Sequence, residues 1–145
     1  MIKKMTLLVA AVSMLTANSC TDGNRSAENP FFAEWNTPFG VPPFDEIRPE
    51  HFKPAYEEGM KRENAEIQAI VDNPEEPGFE NVIVAYDNSG EFLSRVRIVF
   101  GGLNGANTND ELQAINQEMT PVLSKHGNEI SMNPALFAKI KAEKR

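Results

Sequence analysis

The sequence predicts an all-α fold in which about four amphipathic helices follow an extended strap of prolines and aromatic residues. Three observations carry that expectation. Beyond position 49, apolar residues recur at spacings of three, four and seven, the period of one helix face. Pro, Thr and Asn stand where these periodic runs begin, and Asn73 and Pro74 stand where the first one ends. Alternation of apolar and polar residues never lasts more than a few positions, so no strand is expected, and no internal repeat is visible.

The strap comes first. Pro42 and Pro43 fix their own φ and push the residues before them out of the helical region, so Phe39 to Phe44 are expected to run extended, closed by Asp45 or Arg48. The aromatic cluster Phe31, Phe32, Trp35 and Phe39 has to be covered, by the helices or by a partner domain, because contiguous exposed apolar surface is uncommon. Pro49 suits the first position of a helix and Glu50 its electropositive first turn. That helix spans about 49–72, with Phe52, Tyr56, Met60, Ile67 and Ile70 on one face, and PEEPG connects it to the next.

The second helix is expected over about 79–103, on the stripe Phe79, Val82, Ile83, Tyr86, Leu93, Val96, Phe100 and Leu103. Ser89 and Gly90 mark a kink within it, and Gly101, Gly102 and Gly105 loosen its end. Thr108 followed by Glu111 matches a capping box and starts the third helix, whose face is Leu112, Ile115, Met119, Val122 and Leu123, with a local bend at Pro121. Asn133 and Pro134 supply the cap and first position of a fourth, with Phe137 and Ile140 on its stripe. That helix is expected to run on into Arg145, and a helix left open there suggests a truncated product.

A chain of 145 residues with net charge −7 makes at most one domain. Nucleic acid is excluded as a partner because 14 basic residues, scattered among 21 acidic ones, form no cationic cluster. The single cysteine, Cys20, rules out an internal disulfide. Lys3 and Lys4 precede the uncharged run MTLLVAAVSMLTA, so residues 1–20 read as an export signal, too short to span a bilayer comfortably. Ala17 and Ser19 ahead of Cys20 resemble a bacterial lipobox, which makes Cys20 the candidate lipidation site and a lipid there the one attachment to a membrane. Asn18 and the lack of Leu at position 17 depart from the commonest form, so cleavage by an ordinary signal peptidase stays open. Residues 21–29, TDGNRSAEN, read as a polar tether, and residues 30–145 as the helical region. The expected location is the bacterial periplasm or cell envelope.

No catalytic, cofactor-binding or metal-binding residue is assigned. His51 and His126 have no histidine or cysteine three or four positions away, so the short ligand spacing of a zinc site is missing and both read as surface or capping histidines. Glu57/Glu58 and Glu75/Glu76 read as solvated faces. Gly101–Gly105 has neither the preceding strand nor the following Lys of a phosphate loop, and Ser94 and Ser124 lack a histidine positioned by local sequence.

The runs FGVPPFDEIRPEHFKPAYEEGMKRENAEIQAI, NPEEPGFENVIVAYDNSG and TNDELQAINQEMTPVLSKHGNEISMNPALFAKI together resemble the N-terminal region of the thimet-oligopeptidase-like zinc metallopeptidases. The match is best to their bacterial peptidyl-dipeptidase branch, with oligopeptidase A next. The resemblance implies a large helical enzyme that cuts short peptides and releases C-terminal dipeptides. Its zinc would be held by a His-Glu-x-x-His helix and a later glutamate, none of them in this chain. This chain would help wall or cap the substrate channel, joined to the remaining C-terminal metallopeptidase region, and would be inactive alone. The alternative is a stand-alone helical envelope lipoprotein or binding module that has lost the hydrolase.

Overall fold

A computed structural model describes residues 29–143, so Cys20, the export signal and the tether up to residue 28 lie outside the described residues, as do residues 144 and 145. Among the described residues there are helices and no strands, as the all-α expectation required. Helix α1, Phe52–Asp72, is entered through a 3-10 turn at Pro49–His51, which together match the helix expected from Pro49 to Asp72. A π-helical stretch, Phe79–Val84, leads into the single turn α2, Ala85–Asn88, followed by α3, Glu91–Ala106. Helix α4 is Asp110–Ser131 and α5 is Pro134–Ala142.

The second expected helix is interrupted where Ser89 and Gly90 stand. Ser89 turns extended while Gly90 takes φ 73, a left-handed conformation that costs an ordinary residue about 1–2 kcal/mol. Helix α3 nevertheless runs through Gly101, Gly102 and Gly105, which were expected to loosen it. The glycines face open space, while Val99, Phe100 and the half-buried Leu103 pack onto the core and hold the helix.

Two clusters make the core. The larger gathers Phe31 and Ile47, from the segment ahead of α1, with Phe52, Tyr56, Val96, Phe100, Leu112 and Met119. Its aromatic rings contact one another at 5.4 Å (Phe31–Phe52) and 5.0 Å edge-on (Phe52–Phe100), a preferred geometry for ring quadrupoles. The smaller joins Ile67 and Ile70 of α1 to Val82, Ile130 and Leu136. Helix α1 packs chiefly on α3, and Gly59 permits the approach, since a Cβ there would sit 3.1 Å from the Leu93 Cα.

Three other expectations are corrected. The strap is not uniformly extended: Phe39 and Gly40 take φ 62 and 65, and Phe44–Glu46 form a turn. Gly40 N–H donates to the Thr37 carbonyl and the Thr37 hydroxyl to the Val41 carbonyl, which together swing Phe39 entirely into solvent, while Phe31 is buried. The cap of α4 is Asn109, whose Oδ1 accepts from Leu112 N–H at 2.8 Å, and not Thr108. The Thr108 hydroxyl is drawn away, donating to Asn104 Oδ1 and accepting from Gln113 Nε2. On α5, capped by Asn133 as expected, Leu136 is the buried residue and Phe137 points out, and the helix stops at Ala142 because Glu143 turns extended.

Candidate functional site

The strap and α3 enclose a groove of about 520 Å³ lined by Trp35, Pro42, Ser94, Arg95, Ile98 and Val99, with Asp87 and Glu91 at its α2 side. The helical period of α3 explains its two-sided chemistry. Val96, Val99 and Phe100 face the core, which leaves Arg95 and Ile98 on the flank toward the strap. Trp35 is fixed by its Nε1–H, which donates to the Pro30 carbonyl at 2.8 Å. The Arg95 guanidinium then lies 4.8 Å from the Trp35 ring and 5.1 Å from the Phe92 ring, a cation held between two aromatic faces.

Arg95 is sparsely bonded for a guanidinium. Its Nη2 donates to the Phe31 carbonyl at 3.3 Å, its Nε is buried with no acceptor, and it forms no ion pair among the described residues. A buried donor without a partner costs about 1–3 kcal/mol. The neighbouring Arg62 is differently placed, 4.3 Å from the Phe92 ring and with its Nε donating to Glu58 Oε1 at 2.9 Å. That hydrogen bond, more than any other influence, holds the Glu58 carboxyl below its ordinary range. So Glu58 of the Glu57/Glu58 pair is spent on an ion pair rather than freely solvated.

A second polar assembly sits where α1, α3 and α4 meet. Glu66 accepts from Gly90 N–H at 2.8 Å, and Glu63 is 2.8 Å from His126 Nε2. His126 is thereby a buried histidine, 6% exposed, which corrects its expectation as a surface or capping residue. The local sequence gave no sign of Glu63, because the pairing depends on how α4 crosses α1. His51 is the capping histidine expected, its Nδ1 accepting from Arg48 N–H at 3.1 Å. Glu75 accepts from Asn81 Nδ2 at 3.4 Å in the connection ahead of the π-helical stretch.

Among the described residues no three His, Cys, Asp or Glu side chains gather to hold a metal ion. His126 is engaged by Glu63 and His51 by its own helix start, so the described residues offer no ligand set for the zinc that the resemblance implies, whose ligands that resemblance places outside this chain. Ser94 lines the groove, and both histidines are engaged elsewhere, His51 by Arg48 N–H and His126 by Glu63. Sequence reasoning missed Arg95, Glu63 and Glu66, and nothing in their spacing distinguishes them from solvated charges. No helix among the described residues is long and apolar enough to cross a membrane.

Comparison with known proteins finds peptidases. The chain is 43% identical over 114 residues to the dipeptidyl carboxypeptidase of Escherichia coli (strain K12), a match covering 79% of this chain and 17% of that protein. The dipeptidyl carboxypeptidase of Salmonella typhimurium (strain LT2) is 40% identical over 114 residues, with the same two shares. Oligopeptidase A of Haemophilus influenzae (strain Rd) is 28% identical over 98 residues, 68% of this chain and 14% of its own. The chain therefore spans no more than 17% of the length of these relatives. No family model matches it. The homologues are those that the strap and helix runs resemble, dipeptidyl carboxypeptidase with oligopeptidase A beside it.

Proposed function

We propose, with kinship to dipeptidyl carboxypeptidase as the premise, that this chain is the N-terminal helical part of an exported peptidyl-dipeptidase that releases C-terminal dipeptides from short peptides. The observation that carries the reading is the 43% identity across 114 residues, which takes in the strap and most of the helices. In this role the chain shapes the enclosure around a peptide while zinc and its ligands come from the rest of the enzyme. Arg95, the Trp35 ring and Ile98 supply a surface for another polypeptide and no reacting atom. Export and a lipid at Cys20 belong to the same proposal, carried by the basic head, apolar run and small residues of positions 1–20.

The test is a chimera in which residues 29–143 replace the matching segment of the E. coli enzyme. Release of dipeptides from a short peptide within about tenfold of the parent rate, a difference of about 1.4 kcal/mol, is expected. A folded, helical chimera that binds zinc and releases no dipeptide refutes the reading. Separately, a fatty-acid analogue fed to cells should mark the protein and leave Cys20→Ala unmarked; label surviving that change removes the lipid anchor.

A further inference from the structure

The two core clusters give way to one another at a polar step, and the step falls at the same level in three places. On α1 the larger cluster ends at Met60 and the smaller begins at Ile67, with Glu63 and Glu66 between them. On α4 the change lies between Leu123 and Ile130, at His126. Between α2 and α3 it lies after Tyr86 and before Phe92, where Ser89 and Gly90 interrupt the helix. These residues meet in space. Glu63 is 2.8 Å from His126 Nε2, Glu66 accepts from Gly90 N–H at 2.8 Å, and a Cβ on Gly90 would sit 2.7 Å from Glu63 Cδ. A polar layer therefore crosses the molecule from the buried His126 to the exposed Glu66, with one apolar cluster on each side.

We infer that Glu63, Glu66, Gly90 and His126 form a clasp on the border of two cooperative units, across which the smaller unit opens reversibly while the larger stays packed. The smaller unit comprises the end of α1, the π-helical stretch with α2, the end of α4 and α5. Apolar burial is what makes neighbouring layers of a core unfold together, and this layer has little of it to offer. What crosses it instead is hydrogen bonding, which opening exchanges for water at modest net cost. Glu66 also stands at the positive end of α3, where Gly90 has no capping side chain of its own. The smaller unit is the looser of the two by construction. Its π-helical stretch, Phe79–Val84, holds a rarely used hydrogen-bond pattern. A cleft of about 430 Å³ between α1 and the stretch from Asn81 to Ser89, lined by Glu66, Ile70 and Ala85 among others, leaves its packing incomplete.

The experiment is native-state hydrogen exchange of the 145-residue chain, read peptide by peptide in a mass spectrometer. Backbone amides of the smaller unit should exchange at least about tenfold faster than those around Tyr56, Val96 and Met119 in the larger. His126→Leu, which leaves Glu63 without its partner, should quicken the smaller unit by a further factor of about ten and leave the larger within about twofold. Glu63→Leu combined with His126→Leu makes the layer apolar and joins the clusters, so it should reverse that gain and bring the two units within about threefold of one another. Glu66→Ala takes the acceptor from Gly90 N–H and strands no charge, and it replaces His126→Leu where that variant does not fold. Faster exchange confined to the smaller unit is its expected result. Equal exchange of both units in the unaltered chain overturns the inference. So does a single substitution that quickens both units alike, or a double variant as open as His126→Leu alone.

Discussion

Tyr56 lies in the main core, and burial pushes its phenol well above the ordinary value, with the charge of Arg97 pulling more weakly the other way. The folded chain therefore keeps Tyr56 neutral at a pH where the unfolded chain ionises it, near 10. The stability this provides is complete below that pH and is lost as pH rises beyond it toward the folded value. Urea titrations should show stability falling above about pH 10 with a slope of up to about 1.4 kcal/mol per pH unit, and Tyr56→Phe should flatten that slope. An unaltered slope would move the alkaline titration to another group. Gly90 gives a second test, because a Cβ there would meet Glu63 Cδ at 2.7 Å in addition to the left-handed φ. Gly90→Ala should cost about 2 kcal/mol in urea unfolding, with the Glu63–His126 contact disturbed. A glycine amid a helical stripe was readable as a weak point. Its service to two glutamates of α1 was not, because that depends on the crossing of helices far apart in sequence.

At the scale of elements, starts were legible to within a residue or two, while the ends of α3 and α5 missed by about three residues and facing was less legible still. Pro49, the Asn73–Pro74 stop and the Asn133–Pro134 start stand as expected because each acts locally, the prolines through their fixed φ and Asn133 through its Oδ1, which accepts from Ala135 and Leu136 N–H. Thr108 and Asn109 are adjacent residues that both suit an N-cap, asparagine the more so, and the Thr108 hydroxyl finds Asn104 and Gln113 instead. Asn109→Ala should accordingly destabilise the chain by about 1 kcal/mol and Thr108→Ala by clearly less, as read by thermal melts. The reverse order would return the cap to Thr108. Leu136 and Phe137 show the same limit on a short helix, where neighbouring apolar residues differ by one step of about 100° and only the packing partner selects between them. Phe39 and Phe31 are the aromatic case: hydropathy treats them alike, and a turn made by Thr37, Gly40 and Val41 separates them.

Across the whole molecule the two core clusters share helices α1 and α4 but no residue, each using different turns of both, so they can be loosened separately. The one tryptophan, Trp35, packs against the larger cluster only. Leu136→Ala should remove about 3 kcal/mol locally and lower the helical circular-dichroism midpoint, while the Trp35 fluorescence midpoint moves much less. Midpoints that fall together would show that the clusters unfold as one. No part of the groove chemistry could be read ahead, since Arg95 acquires its meaning from Trp35 and Phe92, brought together by the strap's fold. Asn29, the last residue of the expected tether, has a buried side chain that accepts from Phe31 N–H and donates through Nδ2 to the His51 carbonyl at 2.9 Å. An aminopeptidase that digests inward from the amino end would thus reach at Asn29 a residue riveted to the entrance of α1, with the core phenylalanine Phe31 two steps behind it. Digestion should stall there, and a cut past Phe31 should let the remainder be consumed, which makes this asparagine the bolt on the amino-terminal edge of the domain.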